Sequence, residues 1–328
     1  MNYAVVIVNW NGAADTIACL KSIVAGGNCC RVIVIDNGSV DDSIARIAAE
    51  MRAQGLSCRT LTQDEQIAND SARLLLVPTG ENLGFAAGCN RGLRIAEALG
   101  SDEVVFLNND TLVEGDALNR LVRRLQDEPA YFACLPMLTV FGSDRIWNCG
   151  GSASTLGLRR YYLAGRDRAE GARRGEIPCS FFTGCCFAVR TADFVARNGF
   201  CERFFFGEED FELALWMKER GLTAVCLTGA VVQHKVSASF SAAAGNQGRA
   251  KAFVYYLNRF IHMRLRLGIL RWQIWVMVYL PYVMWLLWHR GAVGTAALPN
   301  FVCRLLLCAR TMDGVTRADF EAVMEGRM

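Results

Sequence analysis

The feature that most constrains the fold is a repeated unit in which a short apolar strand runs directly into a polar turn and then into a helix. Residues 3–8 (YAVVIV) form the first such strand, and the polar turn at residues 9–12 follows at once. Residues 31–35 and 36–39 repeat this arrangement. A wholly apolar run is typical of a strand buried on both faces, as in a parallel sheet covered by helices. The sequence therefore predicts an α/β fold with a mostly parallel sheet.

A later unit carries the most informative turn. The apolar residues 104–107 are followed without a spacer by Asn108, Asn109 and Asp110. Side chains at the carboxyl end of a strand in an open α/β sheet face the crevice in which such sheets bind ligands. One carboxylate beside neutral oxygens suits a hard divalent cation that keeps water and phosphate oxygens as its other ligands. An ordinary Asn/Asp turn after a strand is the alternative interpretation.

The glycine-rich turn at residues 81–90 also admits two interpretations. It follows the predicted strand at residues 74–77 and enters a helix. Small residues at a helix N-terminus let backbone N–H groups approach an anion, but tight packing of a helix on a sheet needs the same small residues. The first turn of the chain lacks G-x-G-x-x-G, which argues against a dinucleotide-binding oxidoreductase. Residues 55–72 are polar and aperiodic, which predicts an exposed excursion.

A cluster of acids follows the aromatic run at residues 204–206. Residues 208, 209, 210 and 212 are all carboxylates, directly before an amphipathic helix at residues 213–220. Acids in a first helical turn are favoured by the helix dipole, so three of them have an ordinary explanation. The aromatic run indicates instead that they line a cavity. His234 follows a strand, where a histidine is more often structural than a metal ligand.

The C-terminal part of the chain is basic and apolar. Between Glu219 and Asp313 there is no Asp or Glu, while the segment holds eleven Lys and Arg residues and all three histidines. This composition predicts contact with an anionic membrane surface or a phosphorylated lipid. Nucleic acid is disfavoured because the cations alternate with long apolar runs. The Trp-rich residues 272–288 predict an in-plane or re-entrant helix, with a core helix or an oligomer contact as the alternative.

The cysteines and the first residues of the chain bear on localisation. The fourteen cysteines include no C-x-x-C pair, which is typical of reduced, apolar fillers in a cytoplasmic protein. The chain starts on a strand without a basic n-region or a cleavage site, so we expect no secretory signal. We expect the protein at the cytoplasmic face of the cell membrane, held peripherally or monotopically. The sequence specifies no oligomeric state.

Seven motifs, in this order, resemble the inverting glycosyltransferases of family 2, and among them the rhamnosyltransferase-type enzymes of bacterial cell-surface polysaccharide assembly. The resemblance covers about residues 3–262. The motifs are VVIVNWNG at 5–12, VIVIDNGSVDDS at 32–43, ENLGFAAGCNRG at 81–92, FLNNDTLV at 106–113, FFTGCCFAVR at 181–190, GFCERFFFGEEDFELALWMKERG at 199–221 and VVQH at 231–234.

The resemblance implies a GT-A (Rossmann-like) fold and a role for each matching residue. In this family Asp210 would be the catalytic base, with Glu209 beside it, while Asp110 and His234 would bind a divalent metal, Mg²⁺ or Mn²⁺. Glu212 stands where Asp is common, and its role stays open. The positions that would contact the nucleotide-sugar donor are Asn9, Asn11, Asp36, Asn82, Gly84, Asn108, Asn109 and Gly184.

These expectations combine into one domain plan. Residues 1–245 would form the GT-A domain, with a nucleotide part at about 1–113 and an acceptor part at about 114–245, and residues 246–328 a helical membrane-associating segment. The first expected donor is dTDP-L-rhamnose, and the expected acceptor is a polyprenyl-diphosphate-linked saccharide. A UDP-hexose donor and a catalytically silent sugar-nucleotide-binding membrane subunit are the alternatives.

Overall fold

A computed structural model of the chain describes residues 1–61, 71–235, 246–289 and 291–327. Half of the excursion predicted at 55–72, namely residues 62–70, therefore lies outside the described residues, and residues 58–60 of the other half form a short strand. The helices and strands are numbered below in chain order.

The strands are β1 (Tyr3–Asn9), β2 (Arg31–Asp36), β3 (Cys58–Thr60), β4 (Leu74–Pro78), β5 (Glu103–Asn108), β6 (Thr111–Val113), β7 (Tyr131–Val140), β8 (Ile146–Asn148), β9 (Gly151–Ala153), β10 (Arg159–Tyr161), β11 (Glu176–Cys179), β12 (Cys186–Arg190) and β13 (Thr223–His234). The helices are α1 (Ala13–Ala25), α2 (Ser43–Ala53), α3 (Phe85–Ala98), α4 (Ala117–Asp127), α5 (Arg168–Ala172), α6 (Thr191–Ala196), α7 (Glu209–Glu219), α8 (Asn246–Leu267), α9 (Ile269–His289), α10 (Leu298–Thr311) and α11 (Arg317–Met324).

One large mixed sheet forms the centre of the molecule, in the strand order β11-β13-β7-β12-β5-β1-β2-β4-β3. The half from β5 to β3 is wholly parallel. Strand β12 then pairs antiparallel with both β5 and β7. From β1 the chain builds outward through β2 and β4, and it returns to the other side of β1 with β5. The strand order therefore reverses between β1 and β5, where open α/β sheets form their ligand crevice.

Glycines set how closely helix α3 lies on β1. A Cβ atom added at Gly92 would lie 2.3 Å from Val6 Cγ1, and one at Gly88 would lie 3.2 Å from both Val8 methyl groups. Valine in a strand is stiff about χ1, so it cannot move aside cheaply. Packing of helix on sheet therefore explains why this part of the 81–92 motif is rich in small residues.

The C-terminal helices continue the core of the sheet domain. Side chains of α8 and α9, including Phe260, Trp275 and Tyr279, join Phe181 and Phe211 in one buried apolar cluster. Helix α9 buries one face, with Trp272, Trp275, Tyr279, Val283 and Leu287 at three- and four-residue spacing. Its other face is apolar and exposed, with Ile274, Met277, Val278, Trp285 and Trp288.

A buried ion pair fastens α8 to the start of α7. Arg259 Nε donates to Glu208 Oε1 at 2.7 Å, and both side chains are almost completely buried. His262 Nδ1 lies 2.9 Å from the same carboxylate oxygen, and the Arg259 guanidinium carbon stands 3.5 Å from the centre of the Phe211 ring. Although burial raises it, Arg259 and His262 hold the pKa of Glu208 below its ordinary value. Glu208 is therefore a buried carboxylate that depends on two side chains of α8, the Arg259 guanidinium and the His262 imidazole.

We expect Arg259→Met to lower the free energy of unfolding by about 3–5 kcal/mol, because it removes one partner of a buried charge. The double substitution Arg259→Met with Glu208→Gln should recover a large part of this loss, since it also removes the charge that needs a partner. Denaturant unfolding of the three proteins measures both effects.

The exposed pair of Lys21 and Glu50, whose charged atoms are 2.6 Å apart, provides the matched control. Lys21→Met should change the free energy of unfolding by less than about 1 kcal/mol. Equal stability of the Arg259→Met protein and the wild type would contradict the anchoring role of the pair.

Candidate active site

A cavity of about 580 Å³ opens beside the carboxyl end of β5. Its wall combines residues of the sheet domain with residues of α8, so both sides of the predicted boundary at 245/246 contribute to it. The lining residues are Phe85, Asn108, Asp110, Trp147, Arg159, Tyr161, Thr183, Gly184, Cys185, Phe206, Gly207, Glu208, Glu209, Asp210, Phe211, His234, Lys251, Val254, Tyr255, Asn258 and Phe320. The domain boundary itself stays a prediction.

Asp110 and His234 meet in this wall although they are far apart in sequence. Asp110 lies between β5 and β6, and the antiparallel pairing of β6 with β13 sets His234 opposite Thr111. His234 Nε2 consequently lies 3.1 Å from Asp110 Oδ1, and both side chains are about nine-tenths buried. The Trp147 ring packs against the imidazole with the ring centres 4.6 Å apart.

The chemistry of this pair fits a divalent cation. A carboxylate oxygen and an imidazole nitrogen that already lie side by side can both turn to one ion, and Mg²⁺ commonly takes only one or two protein carboxylates. Within the described ranges, no group of three or more His, Cys, Asp and Glu side chains gathers as a metal site. Further ligands would therefore come from water and from the diphosphate of a bound nucleotide sugar.

The first turn of α7 brings Glu209 and Asp210 into the cavity. The backbone N–H of Gly184 donates to Asp210 Oδ1 at 2.6 Å, and a Cβ atom at Gly184 would lie 3.0 Å from the same oxygen. Burial raises the pKa of Asp210, while this hydrogen bond and the charge of Arg159 act in the opposite direction. Burial and then the neighbouring Asp210 raise the pKa of Glu209. Asp210 is thus the carboxyl of the pair that better retains its negative charge.

The other two acids of the cluster bind arginines instead. Glu212, whose role the sequence leaves open, forms an ion pair with Arg197 at 2.7 Å, and Glu208 pairs with Arg259. Three of the four acids, Glu208, Glu209 and Asp210, therefore line the cavity, but only Glu209 and Asp210 do so without an arginine as ion-pair partner among the described residues. Both interpretations of the sequence, acids of a first helical turn and acids that line a cavity, describe part of the cluster.

The polar turns after β1 and β2 form a network beside the cavity. Asn9 is fully buried, and its Nδ2 donates to Asp36 Oδ1 at 2.7 Å and to Ser39 Oγ at 3.2 Å. Thr16 Oγ1 donates to Asn9 Oδ1 at 2.8 Å and accepts from Asn109 Nδ2 at 3.2 Å. The amide of Asn9 therefore orders the turns, whereas the predicted contact of Asn9, Asp36 and Asn109 with a nucleotide remains a prediction.

Two more predicted donor residues hold neighbouring loops. Asn11 adopts a left-handed backbone with φ +50°, its N–H donates to Ser39 Oγ at 2.9 Å, and its Oδ1 accepts from Val40 N at 2.9 Å. Asn82 Oδ1 accepts from Asn37 Nδ2 at 3.0 Å and from Gly84 N at 2.9 Å. The backbone N–H of Gly84 is therefore already bonded to Asn82.

The structure divides the predicted site residues into two groups. Asn108, Asp110, Gly184, Glu209, Asp210 and His234 line one cavity, while Asn9, Asn11, Asp36, Asn82, Gly84 and Asn109 do not line it. Sequence reasoning missed Thr16, Ser39 and Asn37, which connect the turns, although the last two lie inside the quoted 32–43 motif. It also missed Arg159, Lys251 and Tyr255 in the cavity wall. The available signals were the six arginines between residues 159 and 174 for Arg159 and the basic, apolar C-terminal segment for the other two.

Comparison with known proteins identifies the family. The model of "Glycosyl transferase family 2" matches residues 4–195, more than half of the chain. Two curated relatives, from Mycobacterium tuberculosis strains CDC 1551 / Oshkosh and ATCC 25618 / H37Rv, are each named N-acetylglucosaminyl-diphospho-decaprenol L-rhamnosyltransferase. Each is 28% identical over 177 residues, a match that spans 48% of this chain and 58% of the relative's length.

Solved structures agree on the architecture. A mannosyltransferase of Pyrobaculum calidifontis, in complex with GDP-Man and Mn²⁺, aligns with a TM-score of 0.54 at 17% identity over 99% of this chain and 86% of its own. GalNAc-T7 with UDP, GalNAc and Mn²⁺ aligns with a TM-score of 0.55 at 14% identity over 71% and 44%. The predicted fold is confirmed: the chain belongs to glycosyltransferase family 2 and has the GT-A architecture, an α/β sheet flanked by helices, with an apolar helix in its C-terminal part.

Proposed function

We propose that this enzyme transfers a sugar with inversion from a nucleotide donor to a hydroxyl group of a lipid-linked saccharide, with L-rhamnose from dTDP-rhamnose as the first donor to test. The similarity to two rhamnosyltransferases supports this choice of sugar and acceptor. The observation that carries the proposal is the position of Asp210, which lies in one cavity with Asp110 and His234.

Asp210 has the properties of a general base. Its Oδ1 is fixed by the Gly184 N–H, and within the described parts of the chain its Oδ2 makes no hydrogen bond. Oδ2 can therefore accept the proton of an acceptor hydroxyl as that oxygen bonds to the anomeric carbon and the nucleoside diphosphate leaves. The raised pKa of Asp210 suits a base that works near neutral pH.

Asp110 and His234 are the proposed metal ligands. Asn108 lines the same cavity and is proposed to contact the nucleotide-sugar donor. A divalent ion held by Asp110 and His234 would stabilise the negative charge that develops on the leaving diphosphate. Two polar atoms of this wall, Asn108 Oδ1 and Thr183 Oγ1, are buried without a hydrogen-bond partner among the described residues. Unused polar atoms in a cavity wall are what a polar ligand such as a nucleotide sugar requires.

The exposed face of α9 supports membrane association. Leu270 and Met277 are 76% and 69% exposed, and Tyr282, Trp285 and Trp288 lie on the same helix. Helix α9 has 21 residues, and within the described ranges it is the one helix long and apolar enough to cross a bilayer. Its other face is buried on the protein core, which favours an in-plane position over a span. The cytoplasmic face of the membrane is the proposed side, because the proposed donor is a nucleotide sugar of the cytoplasm.

We expect Asp210→Asn to keep donor binding and to lower turnover by about 10²- to 10⁴-fold, because the amide cannot accept a proton. Transfer from dTDP-rhamnose to a GlcNAc-diphosphate-lipid measures turnover, and titration with dTDP measures binding. The base must be ionised, so the wild-type rate should fall as the pH drops through the raised pKa of Asp210.

Glu219→Gln, at the exposed far end of α7, is the control and should leave the rate unchanged. Near-normal turnover of Asp210→Asn combined with loss in Glu209→Gln would move the base to Glu209. Transfer from a UDP-hexose alone would replace the donor assignment. Donor binding without transfer or hydrolysis would indicate a silent subunit.

We expect excess chelator to abolish transfer and added Mg²⁺ or Mn²⁺ to restore it, if Asp110 and His234 hold the ion. Asp110→Ala should weaken dTDP binding in buffer with the metal and leave it unchanged in chelator, whereas Asp116→Ala, an exposed residue before α4, should behave as the wild type. Full transfer in excess chelator would remove the metal assignment.

We expect the full-length protein to bind vesicles of anionic phospholipid, and high salt to weaken this binding without abolishing it. Each basic residue near such a surface contributes about 1 kcal/mol that salt screens, while burial of the apolar α9 face is insensitive to salt. Met277→Glu should reduce vesicle binding at least about tenfold, because it places a charge on the apolar face of α9 that would be buried in the membrane.

Val40→Glu, a substitution at an exposed apolar residue of the sheet domain, is the matched control and should bind as the wild type. Equal vesicle binding by Met277→Glu and Val40→Glu would exclude α9 as the contact.

A further inference from the structure

The cavity wall carries two cations that the proposed transfer step does not use. Arg159 projects from β10, and Lys251 from α8. Neither was singled out by the motifs, because both lie outside the seven matching segments.

Aromatic rings hold Arg159 in position. Its guanidinium carbon lies 5.1 Å from the centre of the Tyr255 ring, 5.8 Å from that of Phe181 and 6.0 Å from that of Tyr161. Stacking of this kind orients a guanidinium through its faces and leaves its N–H donors, which lie in the plane, unused. The Arg159 guanidinium accordingly makes no hydrogen bond or ion pair with any residue that the structure describes. Its donors are available to an anion in the cavity.

Helix α8 adds the second cation next to the first. Lys251, Tyr255 and Asn258 follow at four- and three-residue spacing, so they share one face of the helix, and all three line the cavity. Tyr255 is the residue over which Arg159 stacks, and Lys251 lies one turn before it. The Lys251 ammonium group also lacks a hydrogen bond or ion pair in the described part of the chain. Two cationic side chains that have no hydrogen bond or ion pair with a described residue therefore flank one tyrosine.

The location of these cations distinguishes them from the donor site. Asp110 and His234, the proposed metal ligands, come from the ends of β5 and β13, whereas Arg159 and Lys251 come from β10 and α8. The loop directly before Arg159 is held by the C-terminal helices: Trp275 Nε1 of α9 donates to Leu156 O at 2.9 Å, and Arg259 of α8 donates to Gly157 O. No described residue of α9 lines the cavity, but the two cations stand beside or on elements that α9 contacts, the loop before β10 and helix α8 respectively. They therefore lie on the part of the wall that is connected to the helix with the exposed apolar face.

We propose that Arg159 and Lys251 form a subsite for the phosphate or diphosphate group that joins the acceptor saccharide to its lipid. The inference rests on the proposed function, in which the acceptor is lipid-linked. Arginine binds two phosphate oxygens through its planar fork, and lysine adds a point charge. An acceptor whose lipid lies along α9 would present its diphosphate between that helix and the reacting sugar.

Binding of two short-chain acceptors, measured by titration calorimetry, tests this subsite. One is GlcNAc-diphosphate-decyl, and the other is decyl-GlcNAc, which carries no phosphate. With dTDP and Mg²⁺ present at saturation, the wild type should bind the diphosphate compound roughly 10- to 100-fold more tightly, the usual worth of hydrogen bonds to a charged group. Arg159→Gln should remove most of this preference and leave the affinity for decyl-GlcNAc unchanged.

The neighbouring arginine provides the matched control. Arg160 is exposed on the same strand, β10, with its side chain alternating to the other face. Arg160→Gln should retain the full preference. Lys251→Gln should reduce the preference by several-fold, which keeps the test valid if Arg159→Gln folds poorly.

Two results would overturn the proposal. If dTDP displaces the diphosphate acceptor, the cations belong to the donor site. If Arg159→Gln weakens the binding of both acceptors equally, Arg159 has a structural role or positions Asp210. Because binding needs no turnover, failure of rhamnose transfer with the preference intact would refute the donor assignment and leave the subsite standing.

Discussion

The position of the carboxyls in the cavity depends on the buried ion pair between Glu208 and Arg259. Glu208 has a left-handed backbone with φ +77° directly before α7, a conformation that a non-glycine residue keeps only when its surroundings enforce it. Arg259 and His262 supply that constraint from α8. Because Glu209 and Asp210 follow immediately, the same ion pair determines how the first turn of α7 enters the cavity. A long-range contact between the C-terminal helices and the sheet domain thus supports the proposed base.

The polar turns after β1 and β2, which hold several of the predicted donor residues, depend on a different kind of interaction. It is a network of neutral amides and hydroxyls around one carboxylate, Asp36. Asp36 accepts from Asn9 at 2.7 Å and from Ser39 Oγ at 2.6 Å, so the turns after two adjacent parallel strands are tied together. Such a network fixes backbone positions although it contains only one acidic side chain. Charge is concentrated instead in the cavity, which is lined by several carboxyl groups and by the cations Arg159 and Lys251.

The sheet was predictable because its signal is local. The apolar runs of β1, β2, β4 and β5 each give a buried strand within a residue or two of the predicted bounds, and the switch point follows from their order. Helix starts were less accurate: α7 begins at Glu209, where residue 213 was expected. No element was predicted between residues 142 and 178, where the structure has β8, β9, β10, α5 and β11. Strands β8, β9 and β10 have three residues each, too few for a recognisable alternation, and β11 pairs with the distant β13.

The cavity was only partly predictable, because contacts between residues far apart in the sequence hold its wall together. Asp110, Asp210 and His234 belong to recognisable motifs, but the pairing of Arg259 with Glu208 joins positions that no periodicity relates. Helix α9 illustrates a second limit, since its apolar composition is equally compatible with a core and with a surface. It is in fact buried on one face and exposed on the other, and sequence composition alone does not distinguish the two faces.

The glycines of α3 change what their motif can be used to infer. A Cβ atom at Gly84 would lie 2.4 Å from Phe205 O, and Gly88 and Gly92 lie against valines of β1. These positions are constrained by steric fit, and that constraint on this chain is independent of whether it turns over substrate. The glycines of the ENLGFAAGCNRG segment therefore report on the shape of the fold, and their presence alone does not indicate activity. A search for active members among diverged or decayed copies should score the carboxyls of the cavity instead.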